Sequence, residues 1–176
     1  MKNFFELKPD FFGLSICDDS LKIVKLKRKG KFFSLVSWGK KNLELGIIKE
    51  SSLNNEKKFI DSVNELVDDI DGGKIKTNNF TFSLPETKAF FNIIQMPKMD
   101  EAELNTAVSF EAENCIPFKM QEVYSDFQVI KAESNVSDHL DILLAVIPKS
   151  IVDPYIGCFK KMNLNPISLE IESQSI

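Results

Sequence analysis

The sequence predicts a mixed α/β chain, α+β in its antiparallel parts, and three observations carry that reading. Residues 11–38 hold short apolar or alternating runs separated by tight turns, the pattern of a strand meander. Residues 55–71 and 151–162 place apolar side chains at helical spacing along one stripe. Residues 84–118 join an apolar run of strand length to a capped amphipathic helix.

The elements follow in order. Phe11–Cys17 is short and apolar, a buried strand, and Cys17-Asp18-Asp19-Ser20 has the short polar side chains of a turn. Leu21–Lys27 alternates apolar residues with Lys, a strand with one wet face. Arg28-Lys29-Gly30-Lys31 is a second turn and Phe32–Trp38 a third strand. A helix is expected from about Asn55 to Asp71, with Phe59, Val63, Leu66, Val67 and Ile70 on one stripe, closed by Gly72-Gly73 as a C-terminal glycine stop. Phe80–Leu84 alternates cleanly and reads as a half-buried strand.

Ala89–Met96 is the next strand, closed by Pro97. Asp100 is placed to cap a helix, with Glu103 completing a capping box and Met99 and Leu104 a hydrophobic staple. Leu104, Ala107, Val108, Ala112 and Cys115 share a face, and Pro117 stops the helix. The other face carries Glu101, Glu111 and Glu113. Tyr124–Lys131 and Leu140–Ile147 are strands separated by the polar loop Glu133–Asp138; the unbroken run Ile142–Ile147 implies that both faces are covered. Ile151–Met162 is a helix with Ile151, Tyr155, Cys158, Phe159 and Met162 on one side and Pro154 in its first turn, with Gly157 weakening it. Ile167, Leu169 and Ile171 alternate as a last strand.

Composition narrows the function classes. The chain has 176 residues, 43% hydrophobic and 27% charged, ordinary for a globular protein. No run reaches the roughly 20 apolar residues of a membrane helix, and Met1–Glu6 has no signal-peptide core, so a cytosolic, unprocessed chain is expected. Cys17, Cys115 and Cys158 are odd in number and far apart, suiting reduced thiols. A single His, His139, argues against a zinc site and has no nucleophile in its context. The pairs Asp68/Asp69 and Glu111/Glu113 read as solvated helix faces.

The net charge of −4 is unevenly spread: residues 1–49 hold 11 Lys/Arg against 5 Asp/Glu, a net of +6, and residues 50–176 hold 11 against 21, a net of −10. The basic run Leu21–Lys31 suggests nucleic acid or anionic lipid on one reading. On the other it is a solvated hairpin whose lysines guard an edge strand. The second is favoured, because no aromatic platform is evident beside the charge, and most of the 15 Phe fall at strand positions expected to be core. Phe11, Phe12, Phe90 and Phe91 are candidates to line a groove.

Leu84-Pro85-Glu86-Thr87-Lys88, the strand closed by Met96-Pro97 and the segment Phe110-Glu111-Ala112-Glu113-x-x-Ile116-Pro117-Phe118 together resemble the PilM family, the actin-like, FtsA-related proteins of type IV pilus assembly. The likeness continues through Glu122–Val129, Ala145–Lys149 and Leu164–Ser173. It implies an actin-like (ribonuclease H-like) subdomain 1A, residues 1–85 with 151–176, interrupted by an inserted strand–helix–strand–strand 1C (SHS2-like) module, residues 86–150.

It also implies where chemistry would lie. In the family pattern a strand ends Gly-hydrophobic-Asp-hydrophobic-Gly, followed by small hydroxyl residues and a Lys, and the turn grips nucleotide phosphate. Aligned here, Gly13 matches the first Gly, Ser15 stands for the Asp and Cys17 for the second Gly. Asp18 and Asp19 replace hydroxyl residues, and only Ser20 and Lys22 fit. Cys accepts a positive φ poorly, and two carboxylates repel polyphosphate. A degenerate hairpin without nucleotide or metal is therefore expected. By the resemblance, the chain is a non-catalytic scaffold peripheral to the inner membrane, binding the N-terminal tail of a PilN-like membrane protein in a groove between 1A and 1C. Phe90, Ile93, Ile94 and Phe118 are the candidate anchors. Self-association into a ring is possible on this reading, with no nucleic acid bound and the membrane met only through the partner. The alternatives are an actin-like ATPase using ATP and Mg²⁺, its second half lying beyond Ile176, or an FtsA-like division or GspL-like secretion protein.

Overall fold

A computed structural model describes residues 10–130 and 139–172, so the loop expected at 133–138 lies outside the described residues. The chain divides into two compact units, Met1–Thr87 with Pro154–Ile176, and Lys88–Asp153.

In the first unit, β1 (Phe12–Ile16), β2 (Ser20–Lys29) and β3 (Phe32–Asn42) form the expected antiparallel meander. A short hairpin, β4 (Ile48–Lys49) and β5 (Ser52–Leu53), precedes α1 (Glu56–Asp68). Asn55 caps α1, its side chain accepting from the Lys58 N–H at 3.0 Å. Then come β6 (Asp71–Gly72) and β7 (Asn79–Leu84), which runs parallel to β1. The six-stranded sheet is completed at its other edge by β11 (Asn165–Ile171), parallel to β7, in the order β11-β7-β1-β2-β3-β6.

Alternation decides which side of this sheet is dry. Phe12, Leu14, Ile16, Leu21, Ile23, Phe80, Phe82 and Leu84 are buried, as are Phe59, Val63 and Leu66 of α1. Tyr155, Cys158 and Phe159 are buried with them. They belong to α3 (Lys149–Lys161), the helix in which the chain returns to the first unit. Phe159 meets Phe80 and Phe82 edge-on, ring centroids 4.8 and 5.1 Å apart. Each buried ring of this kind contributes about 1.5–3 kcal/mol by area alone.

Three local expectations are corrected. Gly72 and Gly73 do not stop α1, which ends at Asp68; Gly72 instead pairs with Ser37 as part of β6, at φ +90°. A Cβ there would lie 2.3 Å from the Val36 carbonyl oxygen, so the strand contact requires glycine. Pro154 is inside α3 rather than in its first turn, because the helix begins two residues earlier, at Lys149. The alternation of the last strand breaks at Ile167, which is 45% exposed beside a register shift between Pro166 and Ser168.

The second unit holds β8 (Phe90–Pro97), α2 (Glu101–Cys115), β9 (Val123–Ile130) and β10 (His139–Pro148), with an antiparallel sheet in the order β8-β10-β9. The Asp100 carboxylate accepts from the Glu103 N–H at 2.9 Å, as the capping pattern predicts. Leu104, Val108 and Ala112 are buried against Ile94, Met96, Ile142, Leu144 and Val146, with Met99, Ala107 and Cys115 packed at the margin. β10 is the central strand. Ile142 and Leu144–Ile147 are buried, whereas Leu143 is only partly so.

Candidate functional site

The seven residues aligned with a phosphate hairpin do come together, but mostly in contacts within the chain. Gly13 sits mid-strand opposite Val24, and Ser15 opposite Lys22, all four on the sheet face away from α1. Cys17-Asp18-Asp19 makes the turn, its Cys17 N–H donating to the Ser20 carbonyl at 2.9 Å. The Ser20 hydroxyl donates to Asp19 at 2.8 Å, and the Asp19 carbonyl accepts from the Leu43 N–H at 2.7 Å.

Asp18 has the more telling role. Its carboxylate accepts from the backbone N–H groups of Glu50 and Ser51, at 2.6 and 2.9 Å. These two residues form the loop between β4 and β5 and are both left-handed, φ 49° and 62°. Such a loop ordinarily takes Asn-Gly. A side chain with a Cβ costs about 1–2 kcal/mol in that region, and the charged acceptor offsets it. The buried Tyr155 hydroxyl donates to the Ser51 carbonyl at 2.9 Å from the other direction. Burial first, and the Asp18 charge second, hold the Tyr155 phenol well above its usual range. No periodicity in the sequence announces this loop.

The four candidate anchors separate. Ile93 and Ile94 are adjacent in a strand and must face opposite ways. Ile94 is 6% exposed in the core under α2, so its side chain is not at the surface, and Phe90 is partly buried against that same core. Ile93 is 60% exposed on the other face of the sheet, directly opposite Leu143. Phe118, just after α2, is 37% exposed. Phe91, opposite Ala145, shares the face of Ile93 and is half-buried. A polar rim continues that face: the Gln95 amide donates to Asp141 at 3.1 Å and lies 3.3 Å from His139. Among the described residues β8 is an edge strand of its three-stranded sheet. Tyr124 completes the far strand. Its hydroxyl donates to Asp153 at 2.9 Å, which raises its pKa, and the Lys149 ammonium lies 5.5 Å over its ring.

Among the described residues no group of three or more His, Cys, Asp and Glu is placed to hold a metal ion, and no helix is long and apolar enough to cross a membrane.

A six-stranded mixed sheet that pauses after its fourth long strand for a strand–helix–strand–strand module, then resumes through a helix and a parallel strand, has the arrangement of an actin-like fold. The sequence pattern of the type IV pilus assembly protein PilM matches residues 13–176, and the chain belongs to that family. Among solved structures it is similar to a PilM–PilN type IV pilus biogenesis complex, at 23% identity and TM-score 0.79, covering 94% of this chain and 48% of that one. It is also similar to the cytoplasmic domain of EpsL, an inner-membrane component of the Vibrio cholerae type II secretion system. There the identity is 8% and the TM-score 0.52, with 90% of this chain and 56% of that one covered. The chain therefore spans about half the length of these solved relatives. No curated protein matches it by sequence.

Proposed function

We propose that the chain acts as a non-catalytic scaffold in type IV pilus assembly and docks the short N-terminal tail of a PilN-like inner-membrane protein. The observation that carries this is Ile93: a large, 60% exposed aliphatic side chain on a sheet face, beside Phe91 and Leu143, on a strand that is the edge of its sheet among the described residues. An extended tail adding to such an edge gains backbone hydrogen bonds, and its alternate side chains find the apolar face. The similarity to a PilM–PilN complex supports the choice of partner. The reading takes residues 1–85 and 151–176 as subdomain 1A and 86–150 as the 1C module, close to the compact-unit boundaries at Thr87 and Asp153.

The same reading makes the first hairpin a structural joint that takes no nucleotide. Asp18 carries a carboxylate where the family pattern calls for a small hydroxyl residue, and it is committed to Glu50 and Ser51. Calorimetric titration tests both halves together. The tail peptide should bind, and ATP with Mg²⁺ should give no heat of binding at micromolar nucleotide. Tight ATP binding would instead favour the ATPase reading.

A further inference from the structure

The hairpin of β2 and β3 is not the plainly solvated turn that its lysines suggest. Phe32 and Phe33 are 78% and 68% exposed at its tip. Down one face come the cross-strand pairs Arg28–Phe33 and Leu26–Leu35 and, beyond a register shift at Lys25/Leu26, Val24–Trp38, and every apolar residue among them is exposed. The aromatic platform absent from the linear reading is therefore present. It was hidden because Phe32 and Phe33 look like core residues of a strand.

Lys27, Lys29 and Lys31 surround that tip, and Lys22 and Lys40 stand opposite each other further down the same face. None of these five has an ion-pair partner among the described residues, whereas Lys25 is paired with Asp10 at 2.5 Å and Lys41 with Glu65 at 2.5 Å. An exposed apolar stripe framed by unpaired cations calls for an occupant that is apolar within and anionic at its surface. A bilayer rich in anionic lipid has that layering. Two features favour it over other anions. A protruding turn offers no groove for a peptide. Val24, Leu26 and Leu35, half of the stripe, give nucleic-acid bases nothing to stack on.

We propose that the tip of this hairpin inserts into the headgroup region of an anionic membrane, with Phe32 and Phe33 reaching the acyl boundary and the lysines meeting lipid phosphates. This contact is direct and needs no partner protein, so it stands or falls apart from the docking of the tail.

The test uses the full 176-residue chain and sedimentation with vesicles. The chain should bind phosphatidylcholine vesicles containing about one quarter phosphatidylglycerol and pass over pure phosphatidylcholine, with affinity falling as salt rises. Phe32→Ser with Phe33→Ser should lower partitioning about tenfold or more, and Lys29→Gln with Lys31→Gln roughly fivefold per residue. All four sites are exposed, and thermal melts coinciding with the parent's confirm that folding is kept. In a Trp38→Phe, Phe33→Trp variant the single indole should shift to shorter wavelength on the anionic vesicles and lose access to an aqueous quencher. Failure to bind anionic vesicles at low salt overturns the proposal. So does undiminished binding of the Phe variant, which would mean adsorption by charge alone, or capture of an oligonucleotide in place of vesicles.

Discussion

The Asp18 carboxylate stands 2.9 Å from the Ser51 amide nitrogen, tying the first turn of the sheet to a hairpin 33 residues further on. Asp18→Ala should cost about 1.5–3 kcal/mol, because two backbone donors lose a charged acceptor. Glu50→Gly in the same background should recover part of the loss by relieving the left-handed backbone at φ 49°. Urea midpoints of the parent and the two variants measure both effects, and equal midpoints for Asp18→Ala and parent would show that the bond carries no weight.

Gly72→Ala should destabilise by more than about 1 kcal/mol, the ordinary penalty for a non-glycine residue at positive φ. The new Cβ must also push back the Val36 carbonyl. The accompanying loss of the β3–β6 pairing would appear as faster amide exchange at Gly73, whose N–H donates to Val36 at 3.0 Å.

Asp100→Ala should lower stability by about 0.5–2 kcal/mol through the loss of the cap on α2. A coincident urea midpoint would place the satisfaction of those N–H groups elsewhere.

Stability should fall on the alkaline side. Burial raises the pKa of both Tyr155 and Cys158 in the folded chain. The unfolded chain therefore gives up these protons first, from about pH 8.5 for Cys and about pH 10 for Tyr. The contribution is complete below those values and is lost as pH rises above them. Tyr155→Phe should flatten the upper part of this decline while lowering stability at pH 7 by about 1 kcal/mol, since the Ser51 carbonyl loses its donor. A decline above pH 10 as steep in the variant as in the parent would remove Tyr155 from the account.

What the sequence made legible was local. The meander, the Asp100 cap and the Phe59, Val63 and Leu66 part of the α1 stripe are each written within a few neighbouring residues, and the structure has them, while Ile70 falls beyond the end of α1 at Asp68. What escaped it depends on what lies across space. Phe12 and Phe80 are buried while Phe32 and Phe33 are exposed, although all four sit in similar strand contexts. Gly72 reads as a helix stop in the sequence, whereas its reason, the Val36 carbonyl, belongs to another strand. Ile93 and Ile94 were grouped as one apolar run, although the two-residue period of a strand sends them to opposite faces. Asp18 showed as a charge unfavourable to phosphate, but its partners Glu50 and Ser51 could be found only from the fold.

On the docking proposal Ile93 anchors the tail of a PilN-like partner, and comparison with its neighbour tests that directly. Ile94→Ala should cost roughly 2–5 kcal/mol of stability as a core truncation. Ile93→Ala should leave the melting curve unchanged within error and weaken the tail peptide by about 2 kcal/mol, the cost of truncating an interface anchor. Calorimetry of the peptide against Ile93→Ala is the deciding measurement. An affinity roughly thirtyfold below the parent's, with an unaltered melt, is the predicted result. Parent-like affinity, or a tail that binds only through Lys27 and Lys29 and is released by salt, would contradict it.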